Sequence, residues 1–240
     1  MTANPAPLLN PVFVALDTTD LDYARELAER LRGSVGGLKL GLEFFNAHGP
    51  AGVTPFLDMG LPVFLDLKYH DIPNTVAGAA RAAASLGVSI LNVHAQGGAA
   101  MMKAALEAVK SVSPATRLIA VTMLTSIGDE DLPGLGLTPP VGDQVLRLAS
   151  LAQRSGLDGV VCSAHEIARL RQELGPDFLL VVPGIRPVGS DMGDQKRVMG
   201  PLEARDAGAS ILVIGRPITG AADPALAARA IAQSLGISGA

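Results

Sequence analysis

The 240-residue chain has one cysteine, no tryptophan and only 3% aromatic residues. A lone thiol, Cys162, excludes an intramolecular disulfide and fits a reducing compartment, so a cytoplasmic location is expected. With so few aromatics, the core must be aliphatic and alanine-rich. Basic runs with interleaved aromatics are missing and the net charge is −4, so nucleic acid is not an expected partner. No uninterrupted apolar run reaches the ~20 residues of a membrane span, so no membrane partner is expected. The opening MTANPAPLLNP lacks the basic and long apolar regions of a secretory signal. The histidines, His48, His70, His94 and His165, show no paired ligand spacing, and there is no cysteine pair or P-loop. No metal site is expected.

What is present is a repeated alternation. Short apolar runs fall at 11–17, 37–41, 62–68, 88–94, 117–122, 159–162, 178–182 and 211–214. Each is followed by a helical pattern: 21–31, 42–59 with a break at Gly49-Pro50, 73–86, 98–112, 143–155, 164–174, 201–207 and 224–235. Continuously apolar strands alternating with helices imply a parallel sheet covered on its outer face. Eight such units without a composition shift predict a closed (β/α)8 barrel, one α/β domain over residues 1–240. A doubly wound open sheet is the alternative, but no G-x-G-x-x-G follows the first strand. Two stretches, 128–140 and 188–200, read as long loops.

The third strand ends in charge. Asp66 and Lys68 lie two apart, which on a strand puts them on one face, and Asp71 follows in the loop before a helix opening at Pro73. An ion pair closing a barrel layer is one reading of this pattern. The other is a functional site, because barrel sites gather at the C-terminal ends of strands. Asp17, Lys39, Asp66, Lys68 and Arg216 all fall at such ends, on strands one, two, three and eight, which are contiguous in a closed barrel. Alternating charges hold one another ionised, and a lysine among carboxylates stays protonated and able to deliver a proton. Gly215-Arg216 reads either as a phosphate site, with backbone N–H groups and a guanidinium fork, or as a helix-capping arginine. His94 ends the fourth strand, facing the mouth or serving as a structural hydrogen-bonder. Met101-Met102 fits helix packing.

The run Asp66-Leu-Lys68-Tyr-His-Asp71-Ile72-Pro-Asn-Thr75 resembles the signature of the orotidine 5′-phosphate decarboxylase family, in its bacterial form. So do Asp17, Gly37-Leu-Lys39-Leu-Gly41, Leu124-Thr125-Ser126, Pro183-Gly-Ile-Arg186, Gly193-Asp-Gln195-Lys-Arg and Gly215-Arg216-Pro-Ile. The match runs in order along nearly the whole chain. It departs where the family's K-V-G reads K-L-G and where Gly200 replaces a common threonine. The resemblance implies a metal-free, cofactor-free barrel that converts orotidine 5′-phosphate to UMP and CO2 in pyrimidine biosynthesis. It implies a homodimer with sites shared across the interface. Lys68 would protonate pyrimidine C6, with Asp66 and the partner subunit's Asp71 near the leaving carboxylate and Lys39 linking the array. Asp17, Lys39 and the partner subunit's Thr75 would hold the ribose, with Ile72 also in the binding set. Thr125 and Ser126 would lie near the base. Gln195, Gly215 and Arg216 would hold the phosphate, with Arg186 adjoining and Pro183 lining the site. The 188–200 loop has the length and glycines of a lid. Two rivals are a Mg²⁺-dependent sugar-phosphate decarboxylase of the same suprafamily, which carries glutamate in place of Lys39, and a silent barrel that only binds a nucleotide.

Overall fold

Alternate strand residues separate into two buried sets, and this division organises the molecule. Phe13, Ala15, Phe64, Ile90, Ile119, Val181, Ile211 and Val213 form one cluster; their neighbours, among them Val12, Val14, Leu38, Leu65, Leu91 and Leu212, join a larger one with residues of the helices. Successive strand side chains point to opposite faces. The first set therefore fills the inside of a barrel and the second packs beneath its helices.

The computed structural model describes residues 10–187 and 199–237. Eight parallel strands close in sequence order: β1 (Val12–Leu16), β2 (Gly37–Gly41), β3 (Val63–Tyr69), β4 (Ile90–His94), β5 (Arg117–Val121), β6 (Gly159–Val161), β7 (Leu179–Pro183) and β8 (Ile211–Ile214). β8 returns to β1, with Leu212 opposite Val12. The helices are α1 (Leu21–Leu31), α2 (Leu42–Asp58), α3 (Pro73–Ala84), α4 (Gly98–Val112), α5 (Val141–Arg154), α6 (Ile167–Leu174), α7 (Pro201–Asp206), α8 (Arg216–Thr219) and α9 (Pro224–Ser234). This is the expected (β/α)8 architecture.

Local chemistry sets the element ends. Asp20 caps α1 by accepting the Tyr23 N–H at 2.9 Å. Proline begins α3, α7 and α9, where its fixed φ suits a first turn and no N–H bond is lost. The expected break in α2 falls at Gly49, whose φ of 59° only glycine adopts cheaply, just before Pro50. Element ends differ from the sequence pattern by up to three residues, as where α6 begins at Ile167 after a 3-10 turn, Ala164–Glu166, and three further details differ. The 128–140 loop contains a 3-10 turn, Pro133–Leu135; α5 begins at Val141; and the short helix α8 follows β8 directly. Four residues are too few for hydrophobic periodicity to reveal a helix.

Candidate active site

The inward face of the barrel becomes charged at its C-terminal mouth. Lys39 stands on β2 and Asp66 on β3, both buried. Lys39 Nζ lies 3.0 Å from Asp17 Oδ1 and 3.5 Å from Asp66 Oδ2, and Lys68 Nζ lies 2.6 Å from Asp66 Oδ1. The order Asp17, Lys39, Asp66, Lys68 is thus a continuous alternation of charge. Asp17 follows β1 in the exposed rim, so the alternation runs from solvent through the buried Lys39 and Asp66 to the half-buried Lys68.

Burial of such groups is unfavourable by several kcal/mol per ion unless each is paired. Burial pushes the Asp66 carboxyl up. The Lys39 and Lys68 ammoniums and the hydrogen bonds from Lys68 and Asn92 outweigh it, holding Asp66 below its ordinary value. Asp66 therefore remains an anion at neutral pH.

Lys68 reaches Asp66 by a route that period-two reasoning does not contain. Among the described residues it is the one non-glycine with positive φ, at 52°. Such a backbone costs about 1–3 kcal/mol and persists where the surroundings determine it. Here β3 bulges: Leu65 pairs with Leu91 and Tyr69 with Val93, so β3 advances four residues while β4 advances two. Asn92 sits opposite the bulge, fully buried. Its Oδ1 accepts the Lys68 N–H at 2.8 Å, and its Nδ2 donates to Asp66 Oδ1 at 2.6 Å. Sequence reasoning missed this residue. The available signal was an amide at the inward position of the apolar run I-L-N-V-H.

The other expected residues are placed as follows. Asp71 makes no ion pair among the described residues; its carboxylate accepts its own neighbour's N–H, Ile72, at 2.6 Å. Asp71, Ile72, Pro73, Asn74 and Thr75 are all exposed, Ile72 at 67%. Thr125 and Ser126 form the turn after β5, closed by the Ile127 N–H on the Leu124 carbonyl at 2.9 Å. Pro183 ends β7. Arg186 follows it, donating its backbone N–H to the Met199 carbonyl at 3.0 Å and its Nη1 to the Ile185 carbonyl at 3.1 Å. Gly215 caps α8 and Arg216 opens it, exposed at the mouth end of β8. Gln195 and most of the 188–200 loop lie outside the described residues. His94, at the end of β4, faces the ring of His70 with centroids 5.5 Å apart. Met101 and Met102 are buried in α4, as packing residues are. No group of three His, Cys, Asp or Glu side chains suited to a metal occurs among the described residues.

The array can do two things. It presents a fixed ammonium, Lys68, at the mouth, and it keeps a carboxylate ionised beside it. That combination is suited to stabilising negative charge developing near Lys68 and to supplying a proton to it.

Residues 10–231 match the family model described as orotidine 5′-phosphate decarboxylase / HUMPS family. The orotidine 5′-phosphate decarboxylase of Rhodospirillum rubrum is 59% identical over 232 residues, covering 94% of each chain. That of Paramagnetospirillum magneticum is 53% identical over 236 residues, covering 96% of this chain and 100% of its own. The crystal structure of orotidine 5′-phosphate decarboxylase from Lactobacillus acidophilus superposes with a TM-score of 0.84 at 39% identity, covering 94% of this chain and 99% of that one.

Proposed function

This chain belongs to the orotidine 5′-phosphate decarboxylase / HUMPS family, and on that premise we propose that it converts orotidine 5′-phosphate to UMP and CO2 in pyrimidine biosynthesis, with Lys68 protonating C6. The observation that carries the reading is the Asp17–Lys39–Asp66–Lys68 alternation at the barrel mouth.

In this reading the bond from C6 to the carboxylate breaks and CO2 departs. The electron pair stays on C6, where no conjugated sink disperses it. Lys68 Nζ then gives its proton to C6, and solvent reprotonates the amine. A preorganised ammonium lowers the barrier because it need not reorient as the charge appears. Asp66 remains anionic beside it, fixing the ammonium, while Lys39 neutralises the far side of that carboxylate and, with Asp17, meets the ribose hydroxyls.

Thr125 and Ser126 are assigned to the base. Gly215, Arg216, Gln195 and Arg186 are assigned to the phosphate, with Pro183 lining the site. The phosphate is remote from the bond broken, so its binding energy can close the 188–200 loop over the substrate and exclude water. Asp71, Ile72 and Thr75 are assigned to the neighbouring site of a homodimer. Their exposure, and the absence of an Asp71 ion pair within the chain's described residues, support that role. The protein is read as one barrel domain, cytoplasmic and free of metal and cofactor.

The test is consumption of orotidine 5′-phosphate, followed by the loss of its absorbance, before and after exhaustive EDTA treatment. Turnover unchanged by chelation is expected. Absence of turnover refutes the substrate assignment. Activity lost to EDTA and restored by Mg²⁺ transfers the protein to the metal-dependent chemistry of its suprafamily.

A further inference from the structure

We propose that Asn92 is a positioning residue that sets Lys68 and Asp66 in their reactive arrangement; the proposal rests on the decarboxylase reading above. Asn92 has no exposure, and both ends of its amide are engaged at the site. The acceptor end takes the Lys68 backbone N–H at 2.8 Å, at a residue whose φ of 52° is otherwise unfavourable. The donor end bonds Asp66 Oδ1 at 2.6 Å, the same oxygen that receives Lys68 Nζ at 2.6 Å. One rigid planar group therefore fixes the backbone from which Lys68 projects and the carboxylate on which its ammonium rests.

The side-chain chemistry is specific. Aspartate keeps the acceptor and loses the donor. Serine is too short to span both partners. Leucine matches the shape and satisfies neither. The ionisable groups around this position are Asp66 and Lys68 on β3, Lys39 on β2, Asp17 after β1, and His94 on β4 with His70 beside it. Asn92 is the uncharged member that touches both Asp66 and Lys68. The β3 bulge turns Lys68 towards the mouth, and Asn92 is the side chain that closes the bulge.

The experiment is Asn92→Ala, read by the crystal structure of the ligand-free variant and by steady-state kinetics. In the structure, Lys68 is expected to leave the left-handed region and its Nζ to move beyond 4 Å from Asp66. In kinetics, kcat is expected to fall on the order of 100-fold, the usual consequence of a misplaced reacting group, with KM within about threefold. Retention of the wild-type Lys68 geometry overturns the proposal, as does a kcat within about threefold of wild type. A KM rise with kcat unchanged also overturns it, since that is loss of binding rather than of position. Asn92→Asp carries the test if the alanine variant does not fold. Its second carboxylate shares the site with Asp66, so the acid limb of the kcat profile is expected at higher pH than in wild type. A coincident limb overturns the proposal. If wild type itself does not consume orotidine 5′-phosphate, the functional reading fails while the crystallographic comparison still decides whether Asn92 holds Lys68.

Discussion

Gly41 leaves the space in which Lys39 meets Asp17: a methyl group on Gly41 would sit 2.9 Å from Lys39 Nζ and 3.4 Å from Asp17 Oδ1. The atoms it would meet are the tips of side chains rather than backbone. The backbone of Gly41, at φ −96° and ψ −171°, is open to any residue. Gly41→Ala is therefore expected to leave the fold intact, with unfolding free energy within about 1 kcal/mol of wild type. It displaces the Lys39 ammonium, and kcat/KM is expected to fall on the order of 100-fold. Urea unfolding and kinetics on the same preparation make the comparison. Wild-type kcat/KM in the folded variant refutes a role for the Lys39 position.

The contrast between Lys39 and Asn92 shows what the chain reveals before it folds. Lys39, Asp66, Lys68 and Arg216 were legible because each is a charge where the strand pattern ends, and the alternation of strands and helices already placed those ends at one mouth. Asn92 was not legible, because its importance depends on a register shift between β3 and β4. Periodicity assumes regular strands, and a bulge breaks that assumption at the residue that matters. The period-two reading put Asp66 and Lys68 together, and they are together, but through a left-handed Lys68 rather than through a regular pleat. Helix α8 was hidden for a different reason, its length of four residues.

Asp66→Asn is expected to change how stability depends on pH. The folded pKa of Asp66 is depressed from its ordinary 3.8 by the lysines and hydrogen bonds that overcome burial. A depressed carboxyl binds fewer protons folded than unfolded, so stability rises with pH across the interval between the two values. Its contribution is present above the unfolded value and lost as pH falls through the folded one. At pH 7 the variant is expected to be less stable by roughly 2 kcal/mol, since Lys39 and Lys68 lose their common partner. The difference is expected to shrink in urea titrations carried into acid below 3.8. A difference independent of pH refutes the assignment of the charge to Asp66.

His94 is expected to titrate below the ordinary histidine value of 6.5. Partial burial lowers its pKa first, and the neighbouring His70 and Lys68 lower it further, against an opposing pull from Asp66. His94 is thus neutral at pH 7. For a base with a depressed folded pKa, the unfolded chain binds more protons, so stability is lost as pH falls below 6.5. The check is NMR titration of the imidazole signals in wild type and His70→Ala. The variant is expected to move the His94 midpoint upward. A midpoint that stays fixed removes His70 from the causes of the shift.

Asp71 is expected to act in trans. Within its own chain its carboxylate turns back to the Ile72 N–H, and the segment from Asp71 to Thr75 faces outward. The measurement is complementation between two variants expected to be inactive alone, Lys68→Ala and Asp71→Ala, mixed and allowed to exchange subunits. In a hybrid dimer one site combines both defects. The other joins the wild-type Lys68 of one subunit to the wild-type Asp71 of its neighbour. With independent sites and symmetric exchange, random mixing makes half of the dimers hybrid and half of the sites in each hybrid complete, so activity is expected to return to about one quarter of wild type. Hybrids must be verified directly, for instance by tagging one variant and isolating the mixed species. If verified hybrids form and stay inactive, Asp71 does not serve the neighbouring site. Recovery confined to the hybrid fraction shows that the exposed Asp71 segment completes a site built on Lys68 of the other subunit.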